Sequence, residues 1–225
     1  MDFIYYFFPN VVDKIPEFLK SINQTIYMVV VSGLVAYSIG LILGVLLIVT
    51  KKGGILENTS LNIILDKTIN VFRIIPFVIL LAALIPLTRA LMGTAIGTKG
   101  AILPLIFGTV PFFARQVETA LAEIDKGLVE AALSMGSSPL EIITRVYLRE
   151  SIPNLIRATT ITTISLIGLT AMAGAVGGGG LGDFALRYGH QRNQVDATYA
   201  TVIILVIMVT LLQMFSNYLI KKTTH

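Results

Sequence analysis

The chain has 225 residues, 55% of them hydrophobic and 13% charged, with 17 Lys and Arg against 13 Asp and Glu for a formal net charge of +4. A soluble domain carries about 25% charged residues, so this balance describes one integral membrane unit and excludes an ordinary soluble enzyme. The absence of cysteine excludes thiol chemistry and thiolate-bound metal, and the basic residues flank apolar runs instead of gathering as a nucleic-acid patch.

The first twenty residues, MDFIYYFFPNVVDKIPEFLK, lack a basic leading region, and Pro9 interrupts their short apolar stretch. They make a poor signal peptide. Phe3, Tyr5, Tyr6, Phe7 and Phe8 suit a segment lying at headgroup level, where the lack of tryptophan leaves tyrosine and phenylalanine as anchors.

Five apolar runs follow: Ile26–Val49, Ile74–Thr88, Gly100–Ala114, Ala158–Gly182 and Ala197–Ile220. A membrane-crossing helix needs about 20 residues. The second and third runs are too short unless their helices continue past Arg73 and Arg115, with each arginine snorkelling at a membrane face. The expected spans are 24–50, 69–92, 100–122, 155–178 and 197–220, in a single transmembrane unit over residues 1–225. Ahead of the second span, Leu61, Ile64, Leu65, Thr68 and Phe72 fall on one helical face, as in an amphipathic lead-in.

Charge sets the orientation. With the N-terminus outside, the inner set is Lys51, Lys52, Lys67, Arg73, Arg115, Lys126, Arg145, Arg149, Arg157, Lys221 and Lys222. The outer set is the smaller one of Lys14, Lys20, Arg89, Lys99, Arg187 and Arg192. The positive-inside bias favours an outer N-terminus and a cytoplasmic C-terminus, which puts loop 123–153 in the cytoplasm.

That loop carries strong local signals. Asp125 can cap a helix Lys126–Met135 that Gly136 terminates. Ser138, Pro139 and Glu141 are an N-cap, a first helical position and a capping box for a second helix, and Pro153 marks the start of the fourth span. Two short helices across a glycine bend make a rigid knob with Leu128, Ala132 and Met135 on one piece and Leu140, Ile143 and Tyr147 on the other. Its apolar face either packs on its own bundle, lies on the lipid surface or docks a partner.

The run Glu130-Ala131-Ala132, three residues, then Gly136 resembles the EAA motif of importer-type ABC transporter permeases. The resemblance implies that the segment is a coupling helix inserting into a groove of a cytoplasmic ATPase. Glu130, Ala131, Ala132, Met135, Gly136, Ser138 and Leu140 are then the ATPase-coupling residues. Where the family pattern usually has a proline thirteen residues past the glycine, this chain has Arg149, with Pro153 about one turn later. Three further stretches, FRIIPFVILLAALIPLTRALMGTAIG from Phe72, VPFFARQVETALAEI from Val110 and AVGGGGLGDFALRYGHQRNQ from Ala175, are similar to the methionine-importer permease group.

Membership of that group implies an all-α membrane protein of five transmembrane helices with a cytoplasmic coupling loop, the type I importer permease fold. It implies a second copy of the chain, a cytoplasmic ABC ATPase dimer and an external methionine-binding protein as partners, in a bacterial inner membrane and without nucleic acid. The chain itself would be non-catalytic and bind no cofactor, with ATP and Mg held by the ATPase; it has no G-x-x-x-x-G-K-[ST] phosphate loop. The alternatives are a permease for another small amino acid or a methionine-containing peptide, and, from a different class, an autonomous channel or ion-coupled carrier. No Asp or Glu lies within the five apolar runs, which weighs against a carrier.

Other residues have two readings. Met172, Thr163 and Thr170 are pathway or gate candidates, or simple helix packing. Arg73 is a further pathway candidate or a snorkelling arginine, with Pro76 a first-turn proline. Arg115 and Glu118 can pair at i,i+3. Gly177, Gly179 and Gly182 fit G-x-G-x-x-G without the strand–helix context a dinucleotide needs. A glycine–aspartate protease is excluded because Asp183 lacks a second carboxylate inside a span. Gly179, Gly182 and Asp183 instead suit the outer end of the fourth helix and are candidates for docking the binding protein. His190 and His225 are lone histidines with no metal constellation.

Overall fold

The computed structural model describes the backbone of residues 2–223 and the side chains of residues 5–223. The Phe3 side chain and His225 therefore lie outside the described residues. Described residues are helical or looped throughout, in the order α1 Asp2–Phe7, α2 Pro9–Val12, α3 Ile15–Thr50, α4 Thr59–Ile74, α5 Phe77–Ala83, α6 Ile85–Met92 and α7 Gly97–Ala122. There follow α8 Lys126–Ser134, α9 Pro139–Glu141, α10 Leu148–Glu150, α11 Ile152–Ala173, α12 Gly180–Phe184 and α13 Val195–Thr223.

Among the described residues, four helices are long and apolar enough to cross a bilayer: α3, α7, the α11 helix extended to Gly178, and α13. The helix α7 does continue past Arg115, as its short apolar run requires. The helix α3 starts at Ile15, ahead of the span expected over 24–50, and runs through Glu17 and Lys20.

The expected second span, 69–92, is not one helix. Ile75 and Pro76 stop α4, with Pro76 extended at φ −58° and ψ 134°. Proline removes a helical donor and disfavours helical geometry in the residue before it. Pro86 sits in the first turn of α6, after a second interruption at Leu84. Arg73 thus belongs to the last turn of α4 and not to the apolar helix that follows.

The residues cluster into two compact units. The first is Met1–Leu34, Ile75–Gly108 and Thr163–Leu212; the second is Val35–Ile74, Thr109–Thr162 and Gln213–His225. In the first unit, Val11, Phe184, Ala197 and Ala200 are buried together against Phe18 and Tyr188. The Asn10 amide N–H and Nδ2 both donate to Asp196 at 2.9 Å, tying α2 to the start of α13.

In the second unit, Ile48, Val49, Phe113, Val117, Leu121 and Ala158 form the main core. A smaller cluster of Leu47, Ile69 and Ala114 lies beside α4. The packed face of α4 only partly coincides with the predicted apolar one, keeping Leu65 and half-buried Phe72. Asn62 donates to the Leu47 carbonyl at 2.8 Å, Ile69 is buried, and Asp66 accepts from Arg115. Leu61 and Ile64 of the predicted face are exposed. In lipid the outside is as apolar as leucine, so polar residues bind helices together and apolar ones are free to face outward. The same logic joins α11 to α13, where Thr160 Oγ1 donates to Ser216 Oγ at 2.6 Å.

Candidate functional site

The knob between α7 and α11 is built by its own caps. The Asp125 carboxylate accepts the Gly127 N–H at 2.8 Å and starts α8. At the other end Gly136 adopts φ +77°, its N–H donating to the Leu133 carbonyl at 3.0 Å while the Ser137 N–H donates to the Ala132 carbonyl at 3.1 Å. These paired bonds are a Schellman motif, which satisfies the orphan carbonyls of a helix end. Ser138 then caps α9: its hydroxyl accepts the Glu141 N–H, and the Glu141 carboxylate accepts the Ser138 N–H at 2.9 Å and its hydroxyl at 2.8 Å. Donation by the Ser138 backbone and hydroxyl holds the Glu141 carboxyl below the usual carboxylate range.

Sequence reasoning anticipates both helices and both caps, but not their winding or which side faces inward. After Glu141 the helix widens into a π-wound stretch, Ile142–Tyr147. Residues five apart lie on different sides of an α-helix and are brought one above the other by i→i+5 bonding. The widening thus lets Ile142 and Tyr147 enter the same core, with Ala132, against Ile48, Phe113 and Leu121. Burial pushes the Tyr147 phenol above its ordinary value. Ala132 and Tyr147, with Ile143 beside them, thus pack on the chain's own bundle, one of the alternatives the sequence leaves open. Ala132 seats the knob at 5% exposure, while Met135 and Leu140 at its tip are 79% and 70% exposed. Leu128 and Leu133 are exposed with them, and Glu130, Ala131, Gly136 and Ser138 also lie on the exposed side.

A second constellation closes the far end of α11. The run Gly174–Gly178 holds non-helical geometry at Val176 and Gly177 and turns the chain into α12. Gly182 packs so tightly that a Cβ there would meet the Ala171 carbonyl oxygen at 2.2 Å, so no larger residue fits without backbone movement. Gly180 and Leu181 donate their N–H groups to Gln24 Oε1 and Thr25 Oγ1, each at 2.9 Å. Asp183 pairs with Arg187, and that bond raises the guanidinium's already high pKa. Sequence reasoning missed Gln24 and Thr25, which lie 156 residues from the groups they satisfy.

The remaining candidates are dispersed. Met172 is 43% exposed on α11, on the side where Ser165 and Gly168 are exposed too. Thr163 is half-buried; Thr170 is buried and donates to the Ile167 carbonyl at 2.7 Å in its own helix. The Arg115–Glu118 pair is present at 2.6 Å, but Arg115 is also bonded to Asp66 at 2.6 Å and Asn70 at 3.1 Å, which makes it the clasp between α7 and α4. Arg73 is exposed, as is His190. Among the described residues no group of three or more His, Asp or Glu could hold a metal ion.

Residues 36–225 match the model of the family described as binding-protein-dependent transport system inner membrane component. The chain belongs to this family. Its all-helical membrane fold is thus that of a transport permease, multi-pass in the membrane. A relative from Vibrio cholerae, named probable D-methionine transport system permease protein MetI, is 46% identical over 202 residues, 90% of each chain. Methionine import system permease protein MetP of Bacillus subtilis is 43% identical over 94% of each chain. Among solved structures, a chain of the inward-facing MetNI methionine ABC transporter matches this permease with a TM-score of 0.90 and 43% identity, covering 92% of this chain and 96% of the other. An amino acid ABC transporter chain shares the fold at 16% identity and a TM-score of 0.78.

Proposed function

We propose that this permease is the transmembrane subunit of an ATP-driven methionine importer and couples substrate passage to a separate ATPase. The observation that carries the coupling reading is the knob: a doubly capped element seated by Ala132, Ile142 and Tyr147, offering exposed Met135 and Leu140 at its tip. A stiff, seated element transmits displacement, whereas a loose loop absorbs it. The substrate reading rests on the names of the relatives from Vibrio cholerae and Bacillus subtilis and of the MetNI chain.

In this reading Glu130, Ala131, Ala132, Met135, Gly136, Ser138 and Leu140 form the ATPase-coupling element, with Ala132 acting as its seat. Two copies of the chain enclose the pathway, with Met172, Thr163 and Thr170 near it. An external binding protein delivers substrate near Gly179, Gly182 and Asp183. The permease is non-catalytic and holds no cofactor, ATP and Mg being bound by the ATPase. Its N-terminus lies outside and its C-terminus in the cytoplasm.

The test is uptake of labelled methionine into proteoliposomes containing the permease, its ATPase and its binding protein. Accumulation that requires all three and ATP is expected. Accumulation by the permease alone overturns the coupling role, and ATP-driven uptake of a different amino acid in place of methionine overturns the substrate.

A further inference from the structure

In the second unit a cavity of about 340 Å³ opens between the end of α3, its following loop, and the inner side of α8. The loop is folded hard back on its helix: Leu56 N–H donates to the Val49 carbonyl and Asn58 N–H to the Thr50 carbonyl, both at 3.0 Å. This fold holds Lys51 and Lys52 at one edge of the cavity. Lys126, the first residue of α8, stands at another, with Glu130 one turn further on. Among the described residues none of these four side chains makes an ion pair.

The cavity is amphipathic. Its walls include Ile48, Ile55, Leu121, Ile124 and Val129, and its charged lining is three lysines against one glutamate. A water molecule's share of liquid volume is about 30 Å³, so the space holds far more than a bare phosphate needs, and a free anion makes no use of apolar walls. The exposed tip residues Met135 and Leu140 do not line it, and the cavity meets the coupling element through Lys126, Val129, Glu130 and Leu133 of α8. Basic pockets beside membrane helices on the cytoplasmic side suit anionic headgroups.

We propose that this cavity binds the headgroup of an anionic glycerophospholipid, with Lys51, Lys52 and Lys126 neutralising the phosphate. Glu130 opposes it, and the apolar walls receive the start of the acyl region. The site joins the end of α3 to α8, so an occupied cavity fastens the coupling element to the bilayer surface. The proposal rests on the reading that the knob faces the cytoplasm beside the membrane, and its test needs neither transport nor an ATPase.

The full chain, purified in detergent, is titrated with phosphatidylglycerol or phosphatidylcholine, and bound lipid is counted by native mass spectrometry. One phosphatidylglycerol per chain is expected in preference to phosphatidylcholine. A lysine near the membrane surface contributes a factor of about five, so Lys51→Gln with Lys126→Gln weakens binding roughly 25-fold. Lys221→Gln with Lys222→Gln, on α13 outside the cavity, leaves it unchanged. Glu130→Gln strengthens it, a gain that misfolding does not produce. Unchanged binding in the double cavity variant, or equal losses in both double variants, overturns the site. Displacement by millimolar inorganic phosphate without headgroup preference assigns a soluble anion and overturns the lipid. Unaltered lipid binding with loss of co-purifying ATPase gives the cavity to that protein instead. Failure of ATP-driven uptake, by contrast, bears on the importer reading and leaves the lipid count intact.

Discussion

Gly136 isolates the coupling question in one residue. It holds φ +77°, yet a Cβ built there meets nothing within 4 Å. Substitution therefore strains the backbone alone. A left-handed conformation costs an L-residue about 1–2 kcal/mol, with asparagine the side chain that tolerates it best. Gly136→Val is expected to open the bend and cut ATP-driven uptake at least about tenfold, on that scale, while membrane insertion stays normal; Gly136→Asn retains most uptake. Uptake and cross-linking to the ATPase measure both, and full uptake in Gly136→Val removes the coupling role. The knob was legible in the sequence because each cap spans only a few residues: Asp125 to Gly127, Ser138 to Glu141. Gln24, Thr25 and the Asp66–Arg115 clasp were not legible, since their partners lie 156 and 49 residues away and only the folded chain brings them together.

At the scale of elements, α4 shows why patterning misleads in a membrane. Its polar residues Asn62, Asp66 and Asn70 face α3 and α7 beside Leu65 and Ile69, while Leu61, Ile63, Ile64 and Ile74 look outward. The periodicity marks a helix, but hydropathy alone does not tell which of its sides packs inward. The second apolar run failed differently: hydropathy sees a continuous stretch, while Pro76 and Pro86 divide it into α5 and α6. If Arg115 clasps α4, Asp66→Asn weakens that helix's attachment. Asp66 is 42% exposed and Arg115 keeps Glu118, so screening limits the loss to about 1 kcal/mol. A fall in melting temperature of about 2–4 °C in detergent is expected by fluorescence-detected unfolding. A change of less than a degree places α4's attachment in Asn62 and Ile69 alone.

For the whole molecule, the exposed side of α11 bearing Ser165, Gly168 and Met172 is the place to look for a second copy. Small residues let membrane helices approach closely, and closed twofold pairs are the commonest assembly. The chain contains no cysteine, so a single introduced one reports without background. Met172→Cys in native membranes is expected to give an oxidant-dependent dimer band on non-reducing gels, with Met214→Cys on the exposed face of α13 as the comparison. A dimer band from Met214→Cys alone moves the pairing surface to α13.

The distances along the chain between bonded groups also order the birth of the molecule. Apart from Ala158, the core residues that seat the knob are made before or with it: Ile48, Val49, Phe113, Val117 and Leu121 leave the ribosome ahead of Ile142 and Tyr147. The caps close within the knob itself. The first unit has no such head start, because Asn10 waits for Asp196 and Gln24 for Gly180. A chain still being synthesised therefore carries a nearly finished knob while its first unit is unsealed. Until α12 arrives for Gln24 and Thr25, and α13 for Asn10, their polar groups must be satisfied by water or by the insertion machinery.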